Sequence, residues 1–209
     1  SGAVLTAVVH DGSRPCPVPE GVREVRVPAD LLKSLSTTES PQGVLFLCRQ
    51  PQLTLPKTLP GTRFLVLDGV QDPGNVGTIW RTADAFGADG LILLPGCADP
   101  FSPKTVRATM GACFRLPAWE TTLEELVPAL EALGLPLYAT ALREDTDDVR
   151  RTDLSRCAVV IGSEGRGVSQ TVLDHCAGTL NIPMRQRCES LNAAGAASVV
   201  LWEMARTLL

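Results

Sequence analysis

From Phe64 onward, short apolar runs alternate with segments whose apolar residues recur at helical spacing. The runs 64–67, 91–94, 135–140 and 158–161 have the length and apolar content of buried strands. Between the first two, Val76, Ile79, Trp80, Ala83 and Phe86 fall on one face of a helix, and Arg81 falls off it. Asn75 is placed to cap that helix, which runs to about Phe86. Ser102-Pro103 starts another helix, carrying Lys104 and Arg107. Thr121 or Thr122 caps a third over 123–133, with Glu124 and Glu125 in its first turn and Pro128 inside it. The charged stretch 143–153 reads as an exposed loop. After 158–161 come a glycine-rich turn, a short helix and strand, the loop from Ile182-Pro183-Met184, and a last helix over 191–208. Strands alternating with helices predict an α/β fold, a mainly parallel sheet with helices on both faces and right-handed crossovers.

The first 52 residues read differently. Strands are expected at 4–9, 22–27 and 43–48, with a short helix over 28–35 opened by Pro28. A polar turn, Ser36 to Pro41, separates the helix from the last strand. This set has the size of a partial small α/β domain. Residues 50–61, Q-P-Q-L-T-L-P-K-T-L-P-G, hold three prolines and a glycine, so 53–61 is expected to be a semi-rigid linker to a domain over 62–209.

Two loops stand out. I-G-S-E-G-R-G-V-S follows the strand at 158–161, with Gly162, Gly165 and Gly167 around Glu164. I-P-M-x-x-x-x-E-S-L-N, from Ile182 to Asn192, leads into the last helix. Loops at strand ends suggest one ligand pocket, and glycines there let a ligand approach the backbone. A third stretch lies upstream, L-D-G-V-Q-D-P-G-N-V-G-T-I-W-R-T-A from Leu67 to Ala83. In this order the three resemble the motifs of the SpoU (TrmH-like) RNA 2′-O-ribose methyltransferases, in the SPOUT superfamily.

The resemblance implies a C-terminal trefoil knot, S-adenosylmethionine as cofactor, RNA as substrate and a homodimer formed through the last helix. Residues 1–52 resemble the rear part of the ribosomal-protein-like substrate-binding domain found in many such enzymes, with S-x-T-x-x-P-Q-G-V from Ser36 as the matching segment. That layout leans towards ribosomal RNA over tRNA. The resemblance places the cofactor at Gly162, Ile182 and Leu191, with Met184 and Ala194 as further contacts. It also assigns substrate and catalytic roles to Asn75, Arg81, Glu164, Ser190 and Asn192.

Physical chemistry constrains those roles. Transfer of a methyl group to a 2′-hydroxyl needs alignment and removal of a proton. Neither histidine, His10 or His175, lies in a motif, so the usual base is missing. The Arg81 guanidinium stays protonated and suits charge stabilisation or phosphate holding; a surface ion pair is its alternative. Asn75 is either a helix cap or a substrate contact. Glu164 either orients the glycine turn or meets RNA, or is a solvated loop carboxylate. Ser190 and Asn192 either hold substrate or cap the last helix. Ile182 and Leu191 would be plain core residues without the motifs around them. Lys104, Arg107, Arg115, Arg166, Arg185 and Arg187 are candidate phosphate contacts. The last helix is apolar nearly all round, which suits burial at a subunit interface. Its run Ala193-Ala194-Gly195-Ala196-Ala197 is smaller than the aliphatic residues common in the family.

Composition narrows the classes further. A hydrophobic fraction of 44% and a charged fraction of 20% over 209 residues suit a globular chain with a sizeable core. A net charge of −4 argues against nonspecific coating of nucleic acid, though not against a local basic patch. Seven scattered cysteines without a C-x-x-C pair read as reduced thiols, and with two histidines no metal site is expected. No apolar run is long enough to span a membrane and no leader pattern opens the chain, so a cytoplasmic location is expected. A P-loop hydrolase lacks its G-x-x-x-x-G-K-[ST] motif, and the glycine spacing at 162–167 is wrong for a Rossmann dehydrogenase. The remaining alternative to an enzyme is a noncatalytic RNA-binding or ribosome-assembly protein of the same fold.

Overall fold

The computed structural model describes residues 4–141, 143, 146–185 and 190–206. The chain divides into two compact units between Gln52 and Leu53. The first holds β1 (Val4–His10), β2 (Arg23–Arg26), α1 (Ala29–Leu35) and β3 (Val44–Arg49). Its sheet has the order β2-β1-β3, parallel on one side of β1 and antiparallel on the other. Val8 and Leu32 are its fully buried apolar side chains.

The second unit holds β4 (Arg63–Asp68), α2 (Pro73–Ala85), β5 (Gly90–Leu93), α3 (Pro103–Ala108), a short 3-10 helix (Ala112–Phe114), β6 (Ala118–Glu120), α4 (Leu123–Glu131), β7 (Leu137–Thr140), β8 (Asp147–Asp148), β9 (Cys157–Gly162), α5 (Gln170–Leu173), β10 (Gly178–Asn181) and α6 (Ala193–Ala205). Its seven strands lie in the order β6-β5-β4-β9-β7-β10-β8, and every pairing is parallel. Successive residues of β4 serve opposite layers. Leu65 and Leu67 face a core shared with α2 and α6; Phe64 and Val66 face one shared with α4 and α5. A strand buried on both sides must be apolar at every position, which is why these runs lack alternation.

Several expectations change here. The cap of α2 is Asp72, not Asn75: Asp72 Oδ1 accepts the Asn75 backbone N–H at 2.9 Å, and Pro73 takes the first helical position. Residues 143–153 are not all loop. Asp147 and Asp148 pair with Leu180 and Asn181 as an edge strand, and Val149 is buried. At α4 neither threonine caps by side chain: Thr122 stands at the cap position without such a bond, and Thr121 Oγ1 instead donates to Glu125 Oε2 at 2.7 Å. Residues 53–61 fall within the second unit, where Glu120 N–H donates to Leu53 O at 2.7 Å and Leu59 is buried. The last helix begins at Ala193, two residues later than its expected start, with Asn192 as its cap; the expected end at Leu208 lies outside the described residues. Among the described residues no helix is long and apolar enough to cross a membrane.

Candidate functional site

The sheet order sets β4, β9, β7 and β10 side by side and parallel, so their C-terminal ends open on one edge. Crevices outside such strand ends are the usual ligand sites of α/β sheets. A cavity of about 470 Å³ lies there, within the range of roughly 300–1,000 Å³ typical of small-molecule sites. Its walls come from the end of β7 (Thr140, Ala141), the glycine turn after β9, the loop after β10 (Ile182, Met184) and the approach to α6 (Ser190, Leu191).

Backbone proximity shapes the turn. Ser163 and Gly167 exchange two backbone hydrogen bonds, at 3.0 and 2.9 Å. Gly167 has φ +69°, which glycine adopts without strain. Gly162 needs its missing side chain for another reason. A Cβ there would sit 2.1 Å from the carbonyl carbon of Gly167 and from the Val168 nitrogen. Beneath the turn, Asp68 Oδ2 accepts the Ser169 N–H at 2.7 Å, tying the end of β4 to the start of α5.

Glu164 joins two of the sequence motifs. Its carboxylate accepts the Asn75 side-chain amide at 2.8 Å and the backbone N–H groups of Gln71 and Asp72 at 3.3 and 3.4 Å. Partial burial pushes this carboxyl's pKa up. The bond from Asn75 and those from backbone amides outweigh it and hold the group below its ordinary 4.5. Glu164 is therefore charged at neutral pH and fixes the first-motif loop against the glycine turn.

The cavity gathers Gly162, Glu164, Arg166, Ile182, Met184, Ser190 and Leu191. Ala194, expected at the cofactor, does not line it. It is buried in the core shared with α2, and Ala193 and Ala196 face the cavity instead. Helical phase separates these positions, since neighbours point about 100° apart. Asn192 also stays outside the lining; its Oδ1 accepts the Ala194 N–H at 2.9 Å as the α6 cap. Arg81 is exposed on α2, about 9 Å further along the helix than Asn75 at ~1.5 Å per residue. It forms no ion pair among the described residues.

The expected phosphate contacts fall into two groups. Lys104 Nζ pairs with Asp72 Oδ2 at 2.9 Å, and Arg115 pairs with Asp84 at 2.7 Å. Arg107, on α3, and Arg166 and Arg185 are exposed. Arg187 lies outside the described residues. Sequence reasoning missed Thr140, Ala141 and Arg143 at the cavity, although the strand ending at Thr140 was legible. It also missed Asp72, whose Asp-Pro pair is a helix-start signal. Among the described residues no acidic, histidine or cysteine cluster could hold a metal ion.

Apolar side chains and a closely wound glycine turn line the cavity together. Known proteins resemble this chain in sequence and fold. Residues 62–202 match the SpoU rRNA Methylase family. The chain is 33% identical over 204 residues to the 23S rRNA (guanosine(2553)-2′-O)-methyltransferase RlmP of Bacillus subtilis, spanning 97% of this chain and 81% of that protein. It is 36% identical over 194 residues to the 23S rRNA (uridine(2479)-2′-O)-methyltransferase of Streptomyces viridochromogenes, spanning 90% of this chain and 60% of that one. The structure of the SpoU methyltransferase AviRb from Streptomyces viridochromogenes, in complex with AdoMet, superposes with a TM-score of 0.86 at 31% identity, covering 99% of this chain and 84% of that chain. The chain belongs to the SpoU rRNA methylase family.

Proposed function

We propose that this RNA methyltransferase moves the methyl group of S-adenosylmethionine to a ribose 2′-hydroxyl of 23S ribosomal RNA. The cavity at the ends of β7, β9 and β10 carries the reading, because it joins the glycine turn to the loop before α6. Relatives that methylate 23S rRNA at a 2′-oxygen, one on guanosine and one on uridine, support the substrate class.

Gly162, Ile182, Met184 and Leu191 would hold the cofactor by backbone edges and apolar contact. Bound there, it supplies an activated methyl group. The chain's own residues then have to align the acceptor and manage charge. Glu164 and Asn75 form one hydrogen-bonded unit beside the cavity, and we read them as the frame for the acceptor ribose. Ser190 lines the cavity mouth and contacts substrate. Asn192 sets the start of α6. Arg81 holds a neighbouring phosphate, a role its permanent charge and exposure suit. Lys104, Arg107, Arg115 and Arg166 supply further positive charge for the RNA backbone.

The finer architecture follows the same reading. The C-terminal segment forms a trefoil knot, supported by the insertion of β9 between β4 and β7. The N-terminal unit is part of a substrate-binding domain. The enzyme works in the cytoplasm as a homodimer. Support for the dimer comes from Trp202 on α6, half exposed and stacked edge-on against Phe86 with ring centroids 5.7 Å apart. Sedimentation at micromolar concentration tests it, and a monomer with full activity would sink it.

The direct test is transfer of labelled methyl from S-adenosylmethionine to unmodified 23S rRNA, followed by alkaline hydrolysis. One methylated ribose, seen as one alkali-resistant linkage, is expected. Label on a base would contradict the assignment.

A further inference from the structure

The N-terminus of α2 carries more connections than a helix start requires. Asp72 Oδ1 accepts the Asn75 N–H at 2.9 Å. Its second oxygen, Oδ2, accepts Lys104 Nζ from α3 at 2.9 Å. Its own backbone N–H donates to Glu164 at 3.4 Å. Asn75, held by that cap, turns its side-chain amide to the same Glu164 oxygen at 2.8 Å. One carboxylate therefore holds the backbone of the residue whose side chain meets Glu164.

A second observation concerns Gly74. It is the second residue of α2. A Cβ at this position would stand 2.7 Å from Asp72 Oδ1 and 3.5 Å from Lys104 Cε. The glycine leaves room for the Asp72 carboxylate in this orientation. Close packing of α2 on α3, where Gly77 admits Thr105 O and Ala108, keeps Lys104 within reach. The bond to Lys104 and that to the Asn75 amide both hold the Asp72 carboxyl below its ordinary range, so it stays charged.

We propose that Asp72 is a positioning residue for methyl transfer, acting through Asn75 on Glu164, with Lys104 holding its second oxygen. The inference rests on the reading of Asn75 and Glu164 as the frame for the acceptor. Asp72 needs no contact with RNA or cofactor. Its loss should leave S-adenosylmethionine affinity unchanged, because it does not line the cavity.

The test compares Asp72→Ala with Asp72→Asn, which keeps a capping oxygen. Single-turnover methylation of unmodified 23S rRNA is expected to slow about 10-fold or more in the alanine variant, since small misplacements of aligned groups cost up to ~100-fold. The asparagine variant should recover most of that rate, with cofactor Kd unchanged in both. Hydrogen exchange is the second measurement and needs no RNA: Asp72→Ala should speed exchange in the turn 163–167 as well as at 71–76. An alanine variant of unchanged rate, or faster exchange confined to 71–76, overturns the proposal. Asn75→Ala and Glu164→Gln serve as controls. If they too leave the rate unchanged, the underlying reading of the frame has failed. If they slow it and Asp72→Ala does not, only the role of Asp72 has.

Discussion

The two halves of the sheet edge use different means. Around β9, β7 and β10 the site is built from backbone and apolar surface: a wound glycine turn, Ile182, Met184 and Leu191. Around β4 and α2 it is built from side-chain polarity: Lys104 to Asp72, Asp72 to Asn75, Asn75 to Glu164. The first half selects by shape and is sensitive to the size of a substituent. The second aligns by hydrogen bonds and is sensitive to charge and donor type. Glu164 belongs to both, lining the cavity while gripping the first-motif loop.

Size should hurt most where the backbone is closest. Gly162→Ala would drive a methyl group into Gly167 and Val168. It is expected to destabilise the protein by about 3 kcal/mol and abolish cofactor binding, by analogy with overpacked cores. Chemical denaturation and calorimetry read both. A stable variant with normal affinity would break the contrast on its shape side.

Polarity should act on rate rather than on cofactor affinity. Glu164→Gln and Asn75→Ala are each expected to slow single-turnover transfer by about 100-fold with cofactor Kd within a few-fold. The pH dependence follows from the sign of the shift. Glu164 has its pKa lowered from 4.5, so its clamp is intact at neutral pH and is lost only as pH falls through that lowered value. An acid limb assigned to Glu164 should therefore lie below 4.5. A limb near neutrality that disappears in Glu164→Gln would contradict this.

The smallest effect should come from the exposed ion pair. Lys104 and Asp72 are both well solvated, and such pairs add little stability. Lys104→Ala should leave folding unchanged and weaken RNA binding a few-fold, reducing the salt slope by less than about 1. A loss confined to the rate, with no change in RNA affinity or salt slope, would move Lys104 wholly into the polar frame.

How far the chain was legible depended on the range of the interactions. Uninterrupted apolar runs marked the buried parallel strands, and the glycine pattern marked the turn, because each is local. Two helix ends show the limit. Asp72 and Asn75 are both good caps three residues apart, and Pro73 at the first helical position decides for Asp72. At α6 the loop motif locates the helix but not its rotation, which turns Ala193 and Ala196 to the cavity and Ala194 to the core. The strand at Asp147–Asp148 has no apolar signal of its own and exists by pairing with β10. The Arg115–Asp84 and Lys104–Asp72 pairs join residues about 30 apart in the chain. No spacing rule reaches that far.

The central claim is that the cavity between the glycine turn and the loop before α6 holds the methyl donor. Calorimetric titration of S-adenosylmethionine into the wild type and into Leu191→Arg tests it most directly. Leu191 is 38% exposed, so a larger side chain can be placed there without disturbing the core. The wild type should bind at one site per chain, and the folded variant should lose at least about 10-fold in affinity, or ~1.4 kcal/mol. Equal affinity in both proteins, or no binding to the wild type, would contradict the account.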